Sequence, residues 1–147
     1  MKIVNKKASY NYELLDRLEV GIVLTGAEVK SIRSGRCNMG DAFVKILNGE
    51  LWVINLDIPK YKYDGSELYD SAHSRKLLIR KSQLYSLSSK MKQGSLTLVP
   101  VSIYTSRGKI KLEIALAKGK KDREKKNKEK ERDLDRELSR EKRKFMI

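Results

Sequence analysis

The chain has a single cysteine, Cys37, and a single histidine, His73, in 147 residues. One cysteine leaves no intrachain disulfide, and the pair cannot build a Cys/His zinc cluster. No run reaches the ~18–20 apolar residues that a membrane-spanning helix needs. The opening Met1-Lys2-Ile3-Val4-Asn5-Lys6-Lys7 lacks the apolar core of a secretory signal. Glycine-rich phosphate loops, the GxSxG elbow and the HExxH helix are also missing. What these absences leave is an expected soluble, cytoplasmic protein with no metal and no cofactor.

Positive charge is what the chain has in excess. Thirty-three Lys and Arg stand against 19 Asp and Glu, a formal net charge of +14. So large an excess on a short chain favours a polyanionic partner, a nucleic acid or an anionic membrane surface. The charge has two regimes. Residues 1–117 hold 19 basic and 11 acidic side chains among apolar runs, and residues 118–147 hold 14 basic and 8 acidic. In the second segment Leu134, Leu138, Phe145, Met146 and Ile147 are the large apolar residues, too few to offset the entropy of ordering it. A folded domain over 1–117 and a basic tail over 118–147, disordered alone, are therefore expected.

Inside the domain the apolar period is mostly two. In 109–117, Ile110, Leu112, Ile114 and Leu116 share one face, with Lys109, Lys111 and Glu113 on the other, as in a half-buried strand. Residues 96–104 read as its partner across a turn near Ser106-Arg107-Gly108, and Pro100 places that partner at an edge or bulge. Residues 42–47 and 50–56 flank Asn48-Gly49, whose tolerance of positive φ suits a two-residue hairpin turn. Further strands are expected at 20–25 and 76–79, and a short helix at 27–34 stopped by Gly35. A second helix carries Leu84, Leu87 and Met91, with Ser82 as its cap and Gly94 at its end. Residues 59–74 form a long polar loop bearing Tyr61, Tyr63 and Tyr69. Hairpin-linked short strands with two or three short helices predict a mainly β fold, a small OB-fold-like closed barrel with a charged C-terminal tail.

Catalytic chemistry finds little support. His73 sits in the polar loop and reads as a solvated or RNA-facing side chain. Cys37 has no evident general base, and Glu19 and Glu28 are not forced into a carboxylate pair by their spacing. The expectation is a non-enzyme. Binding chemistry fares better, because cations cluster at Lys6-Lys7, at Arg75, Lys76, Arg80 and Lys81, and at Lys109, Lys111, Lys118, Lys120 and Lys121. Tyr61, Tyr63 and Trp52 offer rings for stacking, although Trp52 alternates within a strand and suits a core or barrel surface. If the tail were helical, Lys128, Arg132, Arg136, Arg140 and Lys144 would make a cationic i,i+4 row beside an acidic row of Glu129, Asp133, Glu137 and Glu141. Phosphates would neutralise the cationic row and favour the helix, so the tail reads as one that folds on RNA. The plain alternative is a solubilising tail.

Four segments occur in order: Asn5-Lys6-Lys7-Ala8, the 21–31 stretch from Gly21 to Ser31, Arg75-Lys76-Leu77-Leu78, and Ala115-Leu116-Ala117-Lys118-Gly119-Lys120-Lys121. Together they resemble the SmpB family, the SsrA-binding proteins of bacterial trans-translation. The resemblance implies an OB-fold barrel that binds the tRNA-like domain of transfer-messenger RNA (tmRNA) and enters stalled ribosomes. The protein would stand in for the anticodon arm, with its tail helical in the empty mRNA channel of the small subunit. By position it implies RNA-binding roles for Asn5, Lys6, Lys7, Glu19, Lys30, Arg75, Lys76, Lys111, Lys118, Lys120 and Lys121. Ribosome contacts would come from Arg123, Glu124, Lys125, Lys126, Lys128, Arg132, Arg136 and Arg140. Two positions depart from the family pattern. Glu124-Lys125-Lys126 stands where Asp-Lys-Arg is common, which loses an arginine fork, and Arg123 replaces a residue that is often aromatic or His. The implied partners are tmRNA and small-subunit ribosomal RNA, with no membrane, no metal, and a monomeric protein. Rival readings are a generic OB-fold binder of single strands, a membrane-surface protein, which the tail's lack of a wide apolar face disfavours, and an enzyme.

Overall fold

The computed structural model describes residues 1–62, 65 and 68–120. Lys121 and the tail residues expected to touch the ribosome lie outside that range, as does Tyr63. The elements run β1 (Lys2–Val4), α1 (Lys6–Asn11), β2 (Tyr12–Ile22), α2 (Gly26–Arg33), β3 (Phe43–Leu47), β4 (Glu50–Ile54), β5 (Arg75–Leu78), α3 (Lys81–Gly94), β6 (Thr97–Ser106) and β7 (Lys109–Gly119). The strands form one antiparallel sheet in the order β1-β6-β3-β4-β5-β2-β7, and a further β6–β7 pairing closes it into a ring. This is the mainly β closed barrel expected, with three helices among the described residues.

The two hairpins legible in the sequence are present. Asn48 and Gly49 take φ of 51° and 74° between β3 and β4, and Arg107 and Gly108 take 51° and 77° between β6 and β7. In both, left-handed backbone at the two turn residues matches the right-handed twist of the strands. Inward residues fill the barrel: Val20, Val44, Leu51, Val53, Leu77, Leu98, Ile103, Leu112, Ile114 and Leu116 are all buried, with Ile32 of α2 and Leu87 of α3 added from outside the ring.

β6 changes neighbours along one edge. Leu98 pairs with Val44 of β3, whereas Ser102 to Tyr104 pair with β1. Between them lie Pro100, which has no N–H to give a ladder, and Val101, the extra residue of a bulge against β7. The expected placing of Pro100 at a bulge is met. Asn5 fastens this break: its amide N–H donates to the Val101 carbonyl at 2.8 Å, and its side-chain Nδ2 donates to the carbonyls of Pro100 (2.8 Å) and Met39 (3.3 Å).

Other details differ from the sequence reading. β2 begins at Tyr12 and not at Val20. Arg80, with no side-chain hydrogen bond, is the N-cap of α3, so Ser82 lies within its first turn. The left-handed residue that ends α3 is Ser95 (φ 51°), one step after Gly94. Gly94 serves close packing instead, since a Cβ there would meet Leu96 Cγ at 3.1 Å. α1 was not foreseen. It lies on the outer face of the sheet, where Ala8 packs with Val99 and Ala117.

Replacing Asn5 by Ala removes both of these side-chain hydrogen bonds, to the Pro100 carbonyl at the bulge and to the Met39 carbonyl. The expected cost is about 1–3 kcal/mol of stability, read as a lower urea midpoint at unchanged m-value.

Candidate nucleic-acid interface

Strand pairing assembles the exposed wall. Because directly opposed residues share a face, the register carries Lys2 of β1 beside Tyr104 of β6, Tyr104 beside Lys111 of β7, Lys111 beside Gly21 of β2, and Gly21 beside Leu78 of β5. A second outward row runs Lys45, Trp52, Lys76 across β3, β4 and β5. Lys76 and Leu78 alternate with buried Arg75 and Leu77 on β5, so the two rows join on one wall.

An acidic residue sits in this basic setting. Glu19 lies two residues before Gly21 on β2, exposed on the same outward face. Its carboxylate accepts a 2.5 Å hydrogen bond from the Tyr104 hydroxyl. Burial, then the bond and charge of Glu19, push that hydroxyl up to about 12, so it stays a donor. Glu113 stands opposite Glu19 and is paired with Arg17 at 3.2 Å. Glu19 is thus a held carboxylate, able to accept from an amino group or a ribose hydroxyl.

Arg75 is a correction. Its side chain is fully buried and its donors are spent inside the protein: Nε on Glu28 Oε2 at 2.6 Å, Nη1 on the Leu56 (2.6 Å) and His73 (3.1 Å) carbonyls, and Nη2 on the Tyr69 hydroxyl (3.1 Å) and the Ser71 carbonyl (2.9 Å). It has no surface from which to reach a phosphate. Glu28, also buried, closes a capping box at the start of α2: its Oε1 accepts from the Thr25 amide at 3.0 Å while its own amide donates to Thr25 Oγ1. His73, expected to face solvent or RNA, rests its Nε2 3.0 Å from Glu28 Oε2 with its ring part-exposed. Tyr69, from the long loop, donates to the Ile58 carbonyl at 2.6 Å and also lies 3.2 Å from Glu28 Oε2. Much of that loop is therefore strapped onto α2.

The other predicted residues fall in separate places. Asn5 is buried in the bulge clasp, a second correction, since its side-chain donors are used within the protein. Lys6 and Lys7 are exposed on α1, and Lys118 is exposed opposite Glu13. Lys120 places its ammonium on the Ser9 carbonyl at 2.7 Å, near the end of α1. Lys30 is exposed on α2, its Nζ 5.4 Å from the centre of the Tyr61 ring. The structure thus unites Glu19, Lys76 and Lys111 on one wall. It places Lys6, Lys7, Lys118 and Lys120 around α1, and Lys30 on the helix that covers the barrel. Sequence reading missed Tyr104, Gly21 and Lys2 as members of the wall. Only the register relates them, and no local signal carries it.

Cys37 is part-buried, and burial pushes its thiol up to about 12, far from a reactive thiolate at neutral pH. Among the described residues no cluster of three or more His, Cys, Asp or Glu is placed to hold a metal ion, and no helix is long and apolar enough to cross a membrane.

Comparison with known proteins adds three findings. A family model described as SmpB protein matches residues 2–144. The SsrA-binding protein of Sulfurihydrogenibium sp. is 47% identical over 107 residues, covering 73% of this chain and 70% of the relative. That of Mycolicibacterium paratuberculosis is 42% identical over 107 residues, 73% of this chain and 63% of the relative. That of Dehalococcoides mccartyi is 48% identical over 100 residues, 68% of this chain and 58% of the relative. In the latter two the match spans less than two thirds of the relative's length. A solved chain described as "tmRNA-SmpB: a journey to the center of the bacterial ribosome" superposes with a TM-score of 0.68 at 40% identity, over 82% of this chain and 85% of that one.

Glu28 supplies a pH test. Burial, the largest influence, raises its carboxyl, but the Thr25 amide, the Arg75 hydrogen bond and charge, and His73 together hold it below the usual value of 4.5. A lowered folded value means stability that is fully present above the unfolded value and lost as pH falls through the folded one. The urea midpoint should therefore fall below about pH 4.5. Glu28→Gln should flatten that fall and cost about 3 kcal/mol at pH 7 by leaving buried Arg75 without its counter-charge. An equal slope in both proteins would rule the pair out as its source.

Proposed function

The chain belongs to the SmpB protein family, and from that premise we propose that it binds the tRNA-like domain of tmRNA and delivers it to stalled ribosomes for trans-translation. The observation that carries the reading is the outward wall on which Lys76 and Lys111 flank Gly21 and Leu78, with Glu19 held beside them. The two ammonium groups suit phosphates of a folded RNA. The Glu19 carboxylate suits a base amino group or a 2′-OH, and so adds a contact that a phosphate-only surface lacks. Residues 1–117 form the RNA-binding domain in this reading, and 118–147 act separately.

The barrel takes the place of an anticodon arm, and the tail enters the empty mRNA channel. Arg123, Glu124, Lys125, Lys126, Lys128, Arg132, Arg136 and Arg140 face small-subunit RNA there, and the cationic row turns helical as phosphates neutralise it. About 23 helical residues reach roughly 35 Å. The protein acts as a cytoplasmic monomer and performs no chemistry of its own. In keeping with that, the Cys37 thiol is held protonated.

Lys76→Ala and Lys111→Ala should each weaken binding of a tRNA-like transcript several-fold and lower the slope of log K against log salt by about one. Oligo-U should compete poorly at the same ionic strength; equal competition would favour a generic single-strand binder that uses Trp52 between Lys45 and Lys76. Truncation after Lys121 should spare RNA binding and abolish tagging of stalled chains. If the truncated protein still tags, the tail has no such role.

A further inference from the structure

β1 has a strand partner on one side only. The Asn5 amide donates to the Val101 carbonyl at 2.8 Å, and the Thr105 amide donates to the Met1 carbonyl at 3.3 Å. With Ile3 opposite Ile103, residues 1, 3 and 5 therefore aim their backbone groups at β6. Alternation turns the N–H and C=O groups of Lys2 and Val4 the other way, off the edge of the sheet. Among the described residues, none of these four groups has a hydrogen-bond partner on that side. Beside the edge lies a groove of about 220 Å³, bounded by β1 and residues 37–40. Ile3, Val4, Cys37 and Met39 give it apolar walls, Lys6 and Lys7 supply cations, and no described acidic side chain lines it. Val4 is 55% exposed. The far wall is fixed in place: Asn38 and Asp57 exchange backbone bonds of 2.8 and 3.0 Å, and the Met39 carbonyl accepts from Asn5 Nδ2.

The groups on this edge discriminate between ligands. Donors and acceptors alternate along it, and another peptide backbone matches them one for one. Phosphates offer acceptors alone, and would leave the two carbonyls facing anionic oxygens. The lysines call for a negatively charged peptide, and the apolar walls for one whose alternate side chains are aliphatic. We propose that the free edge of β1 takes an extended acidic segment of a partner protein as an added strand. Its aliphatic side chains cover the groove and its carboxylates meet Lys6 and Lys7. Backbone pairing lies in the plane of the sheet, whereas the lysines of the RNA-facing wall stand off its face. The inference thus adds a second class of partner, and it stands or falls independently of the RNA-binding reading.

The probe is a fluorescein-labelled hexapeptide of alternating Glu and Val, titrated into the full-length chain and followed by anisotropy. A saturable rise is expected. Methylating every backbone nitrogen of the peptide should weaken binding about tenfold, the scale of one lost hydrogen bond. Val4→Pro should cause a similar loss, because proline removes a free-edge N–H and takes no bond from β6. Binding of a tRNA-like transcript by that variant should match the wild type. Lys7→Glu should weaken the peptide several-fold and covers the case in which Val4→Pro does not fold. Equal binding of the methylated and unmethylated peptides would mean charge attraction without strand pairing, and the proposal would fall. It falls as well if the wild type takes no peptide at millimolar concentration. Two further outcomes overturn it by naming another occupant. A dimer in sedimentation that Val4→Pro dissolves would assign the edge to a second copy of this chain, and displacement of the peptide by oligo-U would assign the groove to nucleic acid.

Discussion

The buried pair of Glu28 and Arg75 sets which way β5 faces. A strand alternates, so turning Arg75 into the protein turns Leu77 inward as well and sends Lys76 and Leu78 out. A slip of one residue would bury Lys76 and expose Arg75, and the guanidinium would lose Glu28 and four further partners at once. An apolar residue at 75 would fix β5 less sharply, because many registers bury an apolar side chain equally well. An arginine with every donor assigned accepts one. The cost of desolvating the charge is met by the carboxylate, by the carbonyls of Leu56, His73 and Ser71, and by the Tyr69 hydroxyl, so one residue also pins the long loop and α2 around it.

How much of this could be read from the chain depends on whether the signal was local. The Asn48-Gly49 and Arg107-Gly108 turns, and the alternation of Ile110, Leu112, Ile114 and Leu116, are local, and they appear where the residues predict them. The inward role of Arg75 was not legible, since a basic residue among other basic residues reads as surface until its partner 47 positions away is known. α1 left a fainter trace. The outer positions of β7 pass from Lys109, Lys111 and Glu113 to Ala115 and Ala117, and alanine is what a strand needs where a helix lies against it. The start of β2 was hidden differently: Tyr12 to Glu19 mix charge with apolar residues because a bulge against β7 after Leu14 breaks their alternation.

The same distinction explains the candidate site. Lys76 and Lys111 were legible as cations, but not as neighbours. Their joining needs β5 beside β2 and β2 beside β7, pairings between segments more than 50 residues apart in the chain. Glu19 shows the converse. As a sequence feature it is one carboxylate among many. In the fold it accepts from the Tyr104 hydroxyl of β6, reached across β7, which holds it on the outward face. Family likeness pointed to Glu19, and the fold supplies a physical reason for an acid at that place.

β7 links the wall to whatever follows it. Lys111 stands near one end of the strand and Lys118 near the other, about 23 Å apart at the rise of an extended chain. At the far end the Lys120 amide donates to the Asn11 carbonyl at 3.0 Å and its ammonium to that of Ser9. Lys120, the last described residue, is therefore fixed beside α1, away from the Gly21 wall. A strand is stiff along its length, and this one is paired on both edges. The separation between Lys111 and Lys118 is thus set by backbone geometry and not by a flexible linker. A protein that must hold one RNA while reaching another gains from such a spacer.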